Sequence, residues 1–203
     1  MSVDDIQRID DWFAERDGDG EFARHSRGVA YLIVGPITDG GRAILTTKPR
    51  IFAAALGELG SSEREVRDVS MVGRYGLPAA DDLKWIRAVL GDARPLFLGD
   101  MDPVDLLIYA WLKAQAEMQD IEYMGVHDRL LCALGISFER CVTCSCSPSE
   151  CDSLDLLVHV LPGLREFVGA DCYSALENGQ KIELESLVSA TGNPVAVLRA
   201  ALA

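Results

Sequence analysis

The sequence predicts an α/β protein, a parallel sheet flanked by helices with a helical extension after it. Three observations carry that expectation. Short β-rich runs alternate with helix-length segments from residue 44 to residue 127, the pattern of strand–helix–strand units that build parallel sheets. The helical segments of this region open on proline or acidic residues, as in "LPAADDLKWIRAVLG" and "DPVDLLIYAWLKAQAEM", which is how helices start after a strand. From Asp128 onward the strand signals fade and helical segments dominate. The chain therefore divides into an N-terminal helix and β-hairpin (1–43), an α/β core (44–127) and a helical extension with a cysteine-rich loop (128–203).

Taken in order, residues 4–16 place Ile6, Ile9, Trp12 and Phe13 at helical spacing. "RDGDGEF" is a polar break that lacks the ligand spacing and closing glutamate of a calcium loop. "GVAYLIVG" and "RAILTT" are β-rich runs joined by the turn-rich "PITDGG". Pro49 to Leu59 reads as a helix with proline in its first turn. "EVRDVSMVG" is the next strand, followed by a helix with Leu83, Ile86 and Leu90 on one face. "PLFLG" is a strand, residues 102–118 a helix, and "IEYMGV" a further strand. Tyr109, Trp111 and Tyr123 sit in apolar periodic stretches and are expected in the core.

Composition narrows the function classes. The chain carries 19 basic against 32 acidic residues, a net charge of −13, and no dense Lys/Arg block. Tight, autonomous nucleic-acid binding is disfavoured, because phosphate neutralisation supplies much of that affinity. No apolar run reaches the roughly 20 residues of a spanning helix, and the acidic N-terminus is no secretory signal. The cytoplasm is the expected compartment, where six cysteines are thiols or metal ligands rather than disulfides.

In open α/β sheets ligands sit at the carboxyl ends of the strands. Asp100 and Asp102 of "LFLGDMDP" fall there, and so does Thr47. Two readings of the aspartates stand side by side. In one, Asp102 caps the helix that begins at Pro103 and Asp100 accepts loop amides. In the other, the pair is a magnesium site of hard oxygen ligands.

Three local patterns resemble a family. "YGLPAADDLKWI" resembles a Gly-x-Pro turn on Gly76 and Pro78, "FLGDMDPVDLLIY" an Asp-x-Asp-Pro motif on Asp100, Asp102 and Pro103, and "ALENGQKIELESL" a Lys-x-Glu element on Lys181 and Glu183. In that order they are similar to the Toprim region of the topoisomerase VI A subunit and the meiotic double-strand-break transesterases. The Toprim portion of the Wadjet nuclease subunit, with its Gly-Asp-x-Asp element, is a second candidate relative. The resemblance implies Mg2+ on Asp100 and Asp102. It also marks departures. Thr47, followed by Lys48, stands where the family has a metal-ligating glutamate. Tyr75 and Leu83 stand where relatives carry basic residues, and Asp105 where a glycine is usual. About 30 residues precede the first strand, too few for the winged-helix domain that carries the family's nucleophilic tyrosine.

Outside that resemblance, "CVTCSCSPSEC" offers Cys141, Cys144, Cys146 and Cys151 as candidate zinc ligands, with a reduced, metal-free loop as the expected state. His127 falls near the sheet edge, where a single histidine ordinarily bonds the backbone. "KIELESL" also reads as a surface face pairing Lys181 with Glu185 at i,i+4. Two function hypotheses follow. The first is a catalytically degenerate Toprim module that binds metal or serves as a scaffold in DNA processing. The second is a Mg2+-dependent subunit or nuclease completed by a partner's catalytic residues. Both imply a protein partner or homodimer, no membrane, and no DNA cleavage by the isolated chain.

Overall fold

In the computed structural model the described residues are 1–16, 31–35, 40–62, 69–140 and 143–203, with the side chains of 57–62 and 140 left aside. Five strands form one sheet: β1 (Leu32–Val34), β2 (Arg42–Thr46), β3 (Val69–Gly73), β4 (Arg94–Leu98) and β5 (Glu122–Tyr123), in the order β1-β3-β2-β4-β5. β2, β3, β4 and β5 are parallel, and β1 alone is antiparallel. The α/β expectation holds. The N-terminal hairpin does not: β1 pairs with β3 rather than with β2, its neighbour in sequence. Alternation in "YLIVG" cannot name a partner strand, and the calcium-loop-like stretch lies outside the described residues.

Helices follow the strands: α2 (Pro49–Ser62) after β2, α3 (Ala80–Leu90) after β3, and α4 (Pro103–Ala114) after β4. The chain steps one way from β2 to β3 and the other way from β3 to β4. Right-handed crossovers then put α2 on one face and α3 and α4 on the other. The packing agrees. α10 (Pro194–Leu202) lies on α2, whereas α1 (Val3–Glu15) and α6 (Pro148–Val160) lie on α4. The strands are apolar because helices cover both faces; Ile44, Met71, Phe97 and Leu98 are all buried.

After α5 (Asp128–Ala133) the extension is helical as read, through α6, α7 (Leu164–Val168), α8 (Ala170–Glu177), α9 (Leu184–Thr191) and α10. Two short strands, β6 (Cys144–Ser145) and β7 (Gln180–Lys181), pair antiparallel within it. Asp128 ties the extension together by accepting the amides of Asp171 and Cys172 at the start of α8. No helix among the described residues is long and apolar enough to cross a membrane.

Reversal of direction at β2 creates a crevice at the carboxyl ends of β2 and β4, the switch point where open α/β sheets bind ligands. Thr46 is in register with Leu98 across that pair. Thr47 and Asp100, just beyond, therefore both stand at its mouth.

Candidate functional site

β4 ends at Leu98, and Gly99 turns the chain toward α4. A side chain at Gly99 would stand 2.9 Å from Asp105 Oδ2 and closer still to the Phe97 ring, so only glycine lets the turn run this near. Asp102 is the N-cap of α4, its Oδ1 accepting the Asp105 amide at 2.7 Å, with Pro103 following. The cap reading of Asp102 is thus correct, and it is only part of the arrangement.

Asp105 turns back from the first turn of α4. Its Oδ2 accepts the Asp100 amide at 2.7 Å and the Thr47 hydroxyl at 2.7 Å. Asp100 Oδ1 accepts the Leu184 amide at 2.8 Å, and Lys48 Nζ stands 2.8 Å from Asp100 Oδ2. Asp100, Asp102 and Asp105 are all buried, and each offers one carboxylate oxygen within 4.8 Å of the others. Sequence reasoning found the first two and missed the third. The visible signal was the spacing: Asp102 at the N-cap and Asp105 three residues on occupy the two positions whose side chains meet at a helix start. Thr47 is no ligand, but it delivers its hydroxyl to a carboxylate that fills the place next to it.

Burial pushes Asp100 up to about 7, and the charge of Asp102 adds to the shift while Lys48 opposes it. Burial also raises Asp102, against the pull of the Asp105 amide and Lys181. Asp105 is raised well above the usual range by burial and then by the charges of Asp102 and Asp100. Three carboxylates this close in a dry place cannot all ionise unaided; they keep protons or share a cation. The donor set is hard oxygen throughout, without sulfur or imidazole, which suits Mg2+ or Mn2+ rather than a soft metal. Asp100 Oδ2, fully buried, has the Lys48 ammonium 2.8 Å away and no other donor among the described residues. The residues present fit a divalent ion.

The C-terminal extension completes the site. Met101 and Ile182 exchange backbone hydrogen bonds, and Leu184 donates to Asp100. Lys181 Nζ lies 2.7 Å from Glu150 Oε1 and 3.5 Å from Glu183 Oε1, while Glu185 Oε1 lies 3.2 Å from Lys48. The helical i,i+4 pair of Lys181 with Glu185 is not formed, because Lys181 ends β7 and Glu183 is the N-cap of α9. Burial works against both lysine charges, yet neighbouring carboxylates outweigh it and hold each above its usual range. The resulting cavity, about 330 Å³, is lined by six carboxyl groups and two lysines, with half-exposed Tyr75 on its wall.

The other singled-out residues lie elsewhere. The His127 ring is set edge-on to Tyr123, and burial lowers its pKa; it does not line the cavity. Tyr109, Trp111 and Tyr123 pack in the interior as expected, and the Tyr123 hydroxyl donates to the Asp100 and Val126 carbonyls. Cys141 lies outside the described residues. Cys144, Cys146 and Cys151 form no metal-holding cluster among the described residues, where the aspartate triad is the group that could hold an ion. Burial and the Glu150 charge push the Cys146 thiol up to about 12. The segment instead frames the rim: β6 pairs with β7, which carries Lys181, and the Cys146 amide donates to Gly179. Arg74 is a buried cation at the Gly76 turn that the sequence reading passed over. It lies against the Tyr31 hydroxyl and Asp82 at 3.2 and 3.4 Å.

No protein-family model matches this chain, and no curated protein matches it.

Proposed function

We propose that this chain is a divalent-cation-binding module of the Toprim type, acting with a protein partner in DNA processing and not cutting DNA by itself. The observation that carries this reading is the convergence of Asp100, Asp102 and Asp105 at the switch point of a parallel sheet. An ion held there would neutralise charge developing on phosphoryl oxygens. The rim argues against autonomous action on nucleic acid. Lys48, Lys181 and Arg74 are each paired with a carboxylate of this chain, and the cavity wall carries six carboxyl groups against two lysines. Such a surface repels phosphate unless metal or a basic partner intervenes.

Asp105 favours a second reading. A third carboxylate beside Thr47 restores the count expected of an active site, so a partner supplying the nucleophile would make this a Mg2+-dependent subunit.

One experiment tests them. The isolated protein is expected neither to nick nor to relax supercoiled DNA with Mg2+ or Mn2+. Mg2+ should still raise its Tm, and Asp100→Ala combined with Asp102→Ala should abolish that rise. Metal-dependent nicking by the wild type, lost in the double variant, would overturn the non-cutting reading and make this chain an enzyme. A Mg2+ effect that survives the double variant would remove the site from both.

A further inference from the structure

We infer that Lys48 is a tethered counter-ion of the carboxylate cluster: its ammonium holds Asp100 when no metal is bound and yields that oxygen to an entering divalent cation, moving onto Glu185. The inference rests on the divalent-cation reading above and names what regulates access to the same site.

Asp100 has two oxygens with different duties. Oδ1 is fixed by the Leu184 amide, whereas Oδ2 has no neutral donor and stands 2.8 Å from Lys48 Nζ. A divalent cation on the same oxygen would stand about 4 Å from the ammonium, where their repulsion, twice that of two unit charges, outweighs the lysine's own attraction to the carboxylate. Metal binding at Asp100 therefore requires the ammonium to leave. The backbone of Lys48 is not free to follow. Its amide donates to Thr46 Oγ1 at 3.0 Å, its carbonyl accepts the Ile51 amide, and Pro49 starts α2 directly after it. What moves is the flexible side chain, one-fifth exposed.

A second seat is already in contact. Glu185 Oε1 lies 3.2 Å from the same ammonium, and its side chain is 45% exposed, so a lysine there keeps a partner and gains water. Asp102 and Asp105 need no such release, their contacts being an amide, or an amide and a hydroxyl. Lys48 thus lowers affinity for the ion without belonging to the ligand set. It also keeps a buried carboxylate satisfied while the ion is away.

Two measurements test this. Lys48→Met is expected to bind Mn2+ about tenfold more tightly than wild type in calorimetric titration, a coupling within the usual range between linked sites. Without metal, its Tm should fall. Equal or weaker binding by Lys48→Met, with wild type still binding, would overturn the counter-ion role and leave the metal site intact. No binding by either protein would overturn both. The second measurement needs no variant: amine acylation of the wild type, read by mass spectrometry. Mn2+ should increase modification of Lys48 severalfold and leave exposed Lys84 unchanged. Lys48 labelling that ignores Mn2+ would overturn the inference.

Discussion

Glu150→Ala is expected to destabilise the protein by about 3–5 kcal/mol, the cost of leaving one partner of a buried ion pair alone. In a chain of this size that is a fall in Tm of about 10 °C. Glu150 is almost wholly buried, and Lys181, 2.7 Å away, is 12% exposed. The same carboxylate closes the capping box of α6, accepting the Ser147 amide while Ser147 accepts the Glu150 amide. Removal leaves the ammonium with the longer Glu183 contact, at 3.5 Å and a third exposed, and the charge of Asp102, and strips a helix cap as well. Replacing both partners by apolar residues, Glu150→Leu with Lys181→Met, should recover much of the loss, because desolvation of the pair offsets its attraction. Thermal unfolding of the single and double variants checks this. A single variant within 1 °C of wild type would mean the pair holds nothing at the rim.

The second large effect is a dependence on pH that Mg2+ removes. Asp100, Asp102 and Asp105 all have folded pKa values above the ordinary 3.8 of an aspartate, because burial disfavours their charged forms. Such an acid holds a proton in the folded state that the unfolded chain has already released. Its contribution to stability is present below about pH 4 and is lost as pH rises through the folded value, about 7 for Asp100, with Asp105 also raised well above the ordinary range. In EDTA, Tm should therefore decline between about pH 5 and pH 8. Mg2+ binds the deprotonated carboxylates, so its stabilising effect should grow across the same window. At a hundredfold excess over Kd it adds about 2.7 kcal/mol, or about 5–10 °C. A Tm that rises with pH in EDTA, or a Mg2+ shift independent of pH, would contradict the triad as drawn.

Local chemistry was what the sequence could state well. Asp102 followed by Pro103 announced a helix start, "PLFLG" a buried strand, and their junction the functional edge of the sheet. What it could not state were contacts between distant segments. Nothing around Lys48 points to Asp100 or Glu185, and nothing around Glu150 points to Lys181; those pairs exist because the extension folds back over the switch point. β6 and β7, two residues each, are too short to leave a periodic signal. Asp105 was legible in principle. It stands at a position where the resemblance expects glycine, yet its spacing from Asp102 places both carboxylates at one helix terminus.

Asp105 bears most directly on whether the three aspartates hold one divalent ion. Asp105→Asn preserves shape, and an amide oxygen can still accept from Thr47 and the Asp100 amide, so the fold should survive. It replaces the other oxygen by an NH2 group, which cannot ligate a cation. Calorimetric titration with Mn2+ is expected to give one ion per wild-type chain and at least a tenfold loss of affinity in Asp105→Asn, within the loss that ligand changes cause at metal sites. Undiminished binding by Asp105→Asn, or no binding by the wild type at millimolar Mn2+, would contradict the claim.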